Sequence, residues 1–85
     1  MQPTAHSETL LNDPRATMKL HALIADLRRG VLLLDCNLYE EEKRTGIFNV
    51  SDPAYPTLAR NLRARRNNLV ATITMLQRQL FEAAV

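Results

Sequence analysis

The 85-residue sequence is poor in the residues on which many small folds depend. It has no tryptophan, two tyrosines, two phenylalanines, two glycines and a single cysteine. One cysteine excludes an internal disulfide framework and fits a reducing compartment. No segment alternates polar and apolar residues for long, as a half-buried strand would. We therefore expect an all-α chain, and at this length a single domain.

Neither charge nor hydropathy indicates a membrane or a polyanion as partner. Eleven Lys and Arg against nine Asp and Glu leave a net charge of +2, too little for a strong global field. Apolar runs such as Val31 to Leu34 are far shorter than the ~20 residues that span a bilayer. Residues 1–6 lack the basic and apolar regions of a signal peptide. We expect a cytoplasmic protein.

Two heptad patterns lie on either side of a break at residues 46–56. In each pattern, the residues that would face a partner helix, which we call the seam, recur at alternating spacings of four and three. The first seam is Leu20, Ile24, Leu27, Val31, Leu34 and Leu38, and the second is Leu62, Arg66, Leu69, Ile73, Leu76 and Leu80. If the chain reverses near residue 50, each seam residue faces the one whose number adds to 100. This predicts an antiparallel two-helix hairpin that resembles a coiled coil.

Local signals predict where the helices begin and end. Asp13-Pro14 is a typical start, Gly46 is a typical stop, and Pro56 would begin the second helix. The predicted segments are a disordered or loosely packed arm at residues 1–13 and a hairpin at residues 14–85, with helices at 14–44 and 56–84 and a loop at 45–55. Gly30, inside the first helix, costs about 1 kcal/mol relative to Ala. It either permits close packing or has no role.

The loop is long for a helical hairpin, where two to eight residues are ordinary. Its apolar side chains are Ile47, Phe48, Val50 and Tyr55. We expect them to fold back over the end of the seam, with a turn at Ser51-Asp52-Pro53. The alternative is that the loop docks a partner.

Charges near the break oppose the helix macrodipole, which favours cations at a C-terminus and anions at an N-terminus. The first helix ends with Glu40, Glu41 and Glu42, and the second begins with Arg60, Arg63, Arg65 and Arg66. The predicted pairs are Glu40 with Arg60, Asp35 with Arg65, and Glu41 and Glu42 with Arg63. Such pairs would fix the register, although exposed pairs contribute little stability individually.

Arg66 is the one charged residue at a seam position. Its stem could lie over Leu34 while the guanidinium reaches water. Alternatively, it pairs with an acid or with groups of a symmetry-related copy and selects one oligomer. The sequence leaves both interpretations open.

Apolar residues outside the seam predict self-association. A single pair of helices is marginally stable, and an exposed apolar patch usually marks an interface. We predict a homodimer that closes a four-helix bundle, with a different helical partner as the alternative. The predicted interface residues are Met18, Leu32, Leu33, Tyr39, Val70 and Phe81.

Residues with catalytic or metal-binding chemistry are not grouped in the sequence. His21 has no second metal ligand three or four residues away, and Cys36 has no cation cluster at helical spacing. No Gly-rich phosphate loop is present. We therefore expect neither an enzyme nor a bound metal or cofactor, and interpret the chain as an interaction or scaffold module.

Nucleic-acid binding is the main alternative function. It would use the arginines at the start of the second helix, which are Arg60, Arg63, Arg65 and Arg66. The nearby acids and the lack of aromatic residues for base stacking argue against it. In architecture the hairpin is similar to plasmid copy-control hairpin dimers, which implies RNA binding through helix faces, although no motif residues match.

A second resemblance concerns the turn. Ser51-Asp52-Pro53 in a hairpin of this length resembles the turn of type III secretion needle subunits. The resemblance implies a subunit of a secretion or filament assembly. The Arg-rich start of the second helix and the longer, apolar loop depart from that family.

Overall fold

A computed structural model describes residues 14–84, and this part of the chain is an all-helical hairpin. Helix α1 spans Pro14–Thr45 and helix α2 spans Thr57–Ala84. The two helices pack against each other, and the molecule measures 58 Å along its long axis. No strand occurs within these residues. The predicted arm at residues 1–13 lies outside the described range.

The core is one layer of side chains between the helices, as the heptad seams predict. Toward the open end of the hairpin, Ile24, Ile73 and Leu76 are buried together. The half-buried residues packed against them are Leu20, Leu27, Val31 and Leu80. Near the loop, a second cluster contains Leu34, Leu38, Tyr55, Ala59 and Leu62. Several pairs within the clusters have numbers that add to 100, as an antiparallel hairpin with this register requires. They are Leu20 with Leu80, Ile24 with Leu76, Leu27 with Ile73, and Leu38 with Leu62.

Gly30 lies where the two helices approach closely. A Cβ atom on Gly30 would lie 3.2 Å from Leu69 Cδ1, tighter than an ordinary van der Waals contact. Leu69 itself packs against the cluster near the loop. Of the two roles considered for Gly30, the structure therefore supports close packing.

The C-terminus of α1 is capped by side-chain and backbone hydrogen bonds. Thr45 Oγ1 donates to the carbonyl oxygens of Glu41 and Glu42, at 3.1 and 3.2 Å. The Gly46 amide donates to Glu42 O at 2.8 Å, with a Gly46 φ of 74°. This left-handed conformation is the predicted helix stop, which glycine adopts without a Cβ clash.

The loop contains two consecutive turns that meet at Asp52. The Asn49 and Asp52 side chains accept hydrogen bonds from the amides of Ser51 and Ala54, at 3.0 and 2.8 Å. Backbone bonds from Asp52 N to Asn49 O and from Tyr55 N to Asp52 O close the turns. Such Asx turns are a common use of Asn and Asp in loops.

Only part of the loop folds back over the seam. Tyr55 is 4% exposed, and Ile47 packs against the same cluster. Phe48 and Val50 are exposed, so the prediction that they cover the seam is wrong. Phe48 instead lies beside Tyr39 on the outside of α1, with 6.4 Å between ring centroids, and Val50 lies in the first turn.

The second helix begins one residue later than predicted. Pro56 precedes Thr57, the first residue of α2, and its carbonyl accepts the amide of Arg60 at 3.1 Å. Pro56 is thus the cap of α2, and its missing N–H removes no helical hydrogen bond.

Candidate functional site

A buried polar cluster connects α1, the loop and α2 at the closed end of the hairpin. Tyr55 Oη donates to Glu42 Oε2 at 2.7 Å, and Arg63 Nη2 donates to the same oxygen at 3.1 Å. Arg63 Nη2 also lies 3.4 Å from Tyr55 Oη. Glu42 is only 8% exposed. Because one carboxylate accepts from two elements that follow it in the chain, the cluster fixes the loop against both helices.

The positive charge of Arg63 is paired with the negative charge of Glu42 in this cluster. The hydrogen bond with Tyr55, supported by the carboxylate of Glu42, outweighs burial and raises the pKa of Arg63. Arg63 Nε is buried without a hydrogen-bond partner in the described part of the chain. The Arg63 side chain is 38% exposed overall, so its charge is partly solvated. The cluster is therefore suited to a structural role, in which it holds the loop against both helices.

A second bridge crosses the hairpin nearer its centre. Arg66 Nε donates to Asp35 Oδ1 at 2.9 Å, and Arg66 Nη1 lies 3.4 Å from Asn67 Oδ1. The Arg66 and Asp35 side chains are 37% and 42% exposed. Arg66 therefore has the acidic partner that the second interpretation requires, and the selection of one oligomer by Arg66 stays a prediction.

The predicted pairs of Glu40 with Arg60 and of Asp35 with Arg65 are wrong. Glu40 is two residues from Leu38, about 200° around the helix axis, and lines a surface depression beside Asn37 and Arg44 without an ion pair to Arg60. Arg60 instead lies over the Tyr55 ring, with its Cζ 5.3 Å from the centroid. Arg65 is about 100° from Arg66, on the flank of the hairpin opposite Asp35. Equal height along the hairpin is not sufficient for pairing.

Glu41 also has a different partner from the predicted one. Two hydrogen bonds from Arg44, at 2.7 and 3.0 Å, occupy its carboxylate within α1. Of the three consecutive glutamates, only Glu42 bonds to Arg63. It does so because Glu42 lies four residues after Leu38, on the flank from which Arg63 reaches α1, whereas Glu41 lies about 100° away around the helix axis.

Both cross-hairpin bridges lie on one flank of the molecule, which we call the bridged flank. Residues three, four or seven positions apart share a face of a helix, so Leu32 and Tyr39 lie on the same flank as Asp35. By the same spacing, Val70 lies on the flank of Arg66. Met18, two heptads before Leu32, and Phe81, three turns after Val70, extend this surface toward the open end.

The bridged flank exposes large apolar side chains around the two bridges. Their exposed fractions are 68% for Met18, 65% for Leu32, 58% for Tyr39, 37% for Val70 and 71% for Phe81. Five of the six predicted interface residues thus lie on one surface. Leu33, the sixth, is 66% exposed but about 100° further around α1, on its outer face.

Two shallow depressions lie beside and opposite the bridged flank. One, of about 280 Å³, is lined by Arg29, Leu32, Leu33 and Cys36 on the outer face of α1. The other, of about 570 Å³, is lined by Asn37, Glu40, Glu41, Arg44, Leu58 and Leu62. The larger depression is lined mostly by polar side chains, of which Arg44 and Glu41 already bond to each other.

The four arginines of the predicted nucleic-acid surface do not form one basic patch. Arg63 and Arg66 each bond to a carboxylate, and Arg60 lies over Tyr55. Successive arginines also point in different directions around α2, because adjacent helical residues are about 100° apart. Arg65 is exposed and forms no ion pair within residues 14–84.

Chemically reactive side chains are dispersed over the surface. Cys36 is a free, exposed thiol, and His21 is exposed. No group of three or more potential metal ligands occurs among the described residues. Neither α1 nor α2 has a stretch long and apolar enough to cross a membrane.

Comparison with protein-family models, with curated proteins and with solved structures gives no match to this chain.

Proposed function

We propose that this chain is a helical protein–protein interaction module that self-associates through the bridged flank. Two copies would pack these flanks together and close a four-helix bundle. The observation that supports this most is the exposure of five large apolar side chains on the flank where both bridges lie. Burial of such side chains contributes about 1.5–3 kcal/mol each.

The dimensions of the hairpin are compatible with an interface of standard size. One flank projects an area of about 1,100 Å², the product of 58 and 19 Å, against the ~800 Å² per partner of a standard interface. The core of one copy is only one layer deep, and pairs of helices of this size are marginally stable alone. A second copy would add a second layer of apolar contacts.

The two carboxylates of the bridged flank are compatible with burial. Glu42 already accepts from Tyr55 and Arg63, and Asp35 accepts from Arg66. A buried charge is costly when it lacks a partner, and these carboxylates have partners within one copy. The flank can therefore be covered without isolating an anion.

We propose a cytoplasmic, non-enzymatic role. The exposed thiol of Cys36 suits a reducing compartment. Glu42 with Arg63 and Asp35 with Arg66 form bridges between the helices, where these titratable groups have a structural use. Nucleic-acid binding is the weaker alternative. Because Arg63 and Arg66 are paired with carboxylates, such binding would depend on Arg60 and Arg65.

The test is the solution mass of matched variants by light scattering at micromolar concentration. The unmodified chain should have twice the 9.7 kDa mass of one copy. Leu32→Glu places a charge in the centre of the bridged flank and should give a monomer. Leu23→Glu is the control, because Leu23 is 45% exposed on the opposite flank and should leave the dimer intact.

Two outcomes would contradict the proposal. A monomeric unmodified chain would exclude self-association, and the apolar flank would then require a different helical partner. Disruption by Leu23→Glu as well as by Leu32→Glu would indicate that both flanks are used, as in a filament or secretion assembly.

A further inference from the structure

We propose that the dimer is specified by a ring of four alternating charges, Asp35 and Arg66 of each copy, around a twofold axis parallel to the helices. In this arrangement α1 of each copy packs on α2 of the other, and both loops lie at the same end. The inference rests on the proposed self-association and states its geometry.

Each charged group of this bridge has unused hydrogen-bonding capacity. Asp35 accepts from Arg66 through Oδ1, and Arg66 uses Nε and Nη1 for Asp35 and Asn67. Asp35 Oδ2 and Arg66 Nη2 have no hydrogen bond in the part of the chain that the structure describes. Both side chains are more than one-third exposed. One copy therefore presents a free acceptor beside a free donor on the bridged flank.

A twofold axis parallel to the helices leaves no freedom to slide one copy along the other. It places every residue at the height of its symmetry mate. Asp35 of one copy then meets Arg66 of the second copy at the height where the two already pair within a copy. Going around the bundle, acid and base alternate, and each carboxylate lies between two guanidiniums. The ring has no net charge, which limits the cost of burying it.

The same axis brings the apolar side chains together without further adjustment. Leu32 and Val70 lie at nearly equal heights, because their numbers add to 102, close to the 100 of the seam. Met18 and Phe81, whose numbers add to 99, are level near the open end. Leu32 of one copy would thus cover Val70 of the second copy, and Met18 would cover Phe81. All four side chains are exposed in one copy.

The competing arrangement has its twofold axis perpendicular to the helices, with α1 packed on α1 and the loops at opposite ends. With Leu32 at the axis, Arg28 of one copy would lie one residue in height from Asp35 of the second copy. With the axis parallel to the helices, the two Arg28 side chains instead lie at one height without an acid between them. Arg28 is exposed and takes part in none of the four ion pairs within residues 14–84.

Disulfide trapping distinguishes the two arrangements. Leu32→Cys and Val70→Cys are made separately in chains that carry Cys36→Ser, and the proteins are oxidised alone and as a mixture. We expect a covalent dimer only in the mixture, composed of one chain of each kind by mass spectrometry. A disulfide requires Cα atoms within about 7 Å, and the two Leu32 positions lie on diagonally opposite helices in the proposed bundle.

Each other result contradicts the ring. A covalent dimer from Leu32→Cys alone would indicate α1 packed on α1. A noncovalent dimer of the unmodified chain, with no trapping in the mixture, would exclude the proposed axis while leaving self-association intact. A monomeric unmodified chain would overturn both proposals together. Circular dichroism of each cysteine variant checks that the helices are retained.

Arg28→Leu provides an independent test by sedimentation equilibrium. In the proposed dimer it replaces two like charges at one height with apolar side chains, so we expect dimerisation to tighten by roughly tenfold or more. In the perpendicular arrangement it removes the partner of Asp35 and should weaken dimerisation. Arg78→Leu, on the outer face of α2, is the control and should leave the dissociation constant unchanged within about twofold.

Discussion

Replacement of Tyr55 by Phe tests whether the loop is fixed by the cluster of Glu42, Tyr55 and Arg63. The substitution removes one hydroxyl, which donates to Glu42 Oε2 at 2.7 Å, and retains the ring that is buried against Leu62 and its neighbours. No cavity larger than one oxygen atom is left. The measured effect therefore reports the hydrogen bond.

The expected loss of stability follows from the surroundings of the carboxylate. A hydrogen bond to a charged group contributes about 1.5–3 kcal/mol. Glu42 is buried, which raises the cost, but it keeps the bond from Arg63 at 3.1 Å, which lowers it. We expect a loss of about 1.5–2 kcal/mol in the free energy of unfolding, or about 6–16 °C in Tm for a domain of this size.

The assay is urea denaturation followed by circular dichroism at 222 nm, at the same protein concentration for every variant. Tyr39→Phe is the matched control, because Tyr39 is 58% exposed and its hydroxyl forms no hydrogen bond within residues 14–84. It should change stability by less than about 0.5 kcal/mol.

Two results would refute the role of the cluster. One is a Tyr55→Phe variant that unfolds like the control. The other is an effect of Glu42→Gln that is the same with Tyr or Phe at position 55. Residues in one hydrogen-bond network should instead show a coupling of about 0.5–3 kcal/mol in such a cycle.

Three further predictions concern the glutamates, the helix cap and the arginines. Glu42→Lys should destabilise the hairpin by about 3 kcal/mol or more, because it places a cation beside Arg63. Glu40→Lys is the control and should change the urea midpoint little. Equal effects of the two substitutions would contradict the bridge between Glu42 and Arg63. Gly46→Ala should lower the free energy of unfolding by about 1–2 kcal/mol in the same assay, because φ is 74° at this position. Gly46→Asn should lower it less. An unchanged urea midpoint for Gly46→Ala would be inconsistent with the cap. In gel shifts at physiological salt we expect no RNA or DNA binding, and a salt-steep interaction lost in a double Arg60→Ala and Arg65→Ala variant would support the nucleic-acid alternative.

The seam could be predicted because it depends on a long repeat. Six positions in each helix repeat with heptad spacing, and a shift of one residue would turn every one of them away from the partner helix. The cap at Gly46 could be predicted for a different reason, since few residues other than glycine adopt a positive φ at low cost. Both signals are local or periodic and do not depend on the path of the loop.

The pairing of charges could not be predicted from heights along the hairpin. Asp35 lies at the height of Arg65, yet it bonds to Arg66 because those two side chains point to the same flank. A helical wheel applied to both helices at once would have identified this pair. The bond from Tyr55 to Glu42 was beyond that approach, because it depends on two turns that meet at Asp52. Ala59, which is completely buried, was not among the predicted seam residues, although it continues the second seam three residues before Leu62.

Glu42, one of the charges that oppose the macrodipole, has a structural explanation in its bridge to Arg63. It lies in the last turn of α1, where an anion is unfavourable in an isolated helix by about 0.3–1 kcal/mol. Glu42, Tyr55 and Arg63 together hold the loop and both helices in one arrangement before any partner binds. A surface that is ordered in advance loses less conformational entropy on association. The same bridges would therefore position Met18, Leu32, Val70 and Phe81 for a second copy, which connects the unusual charge order of this sequence to its exposed apolar flank.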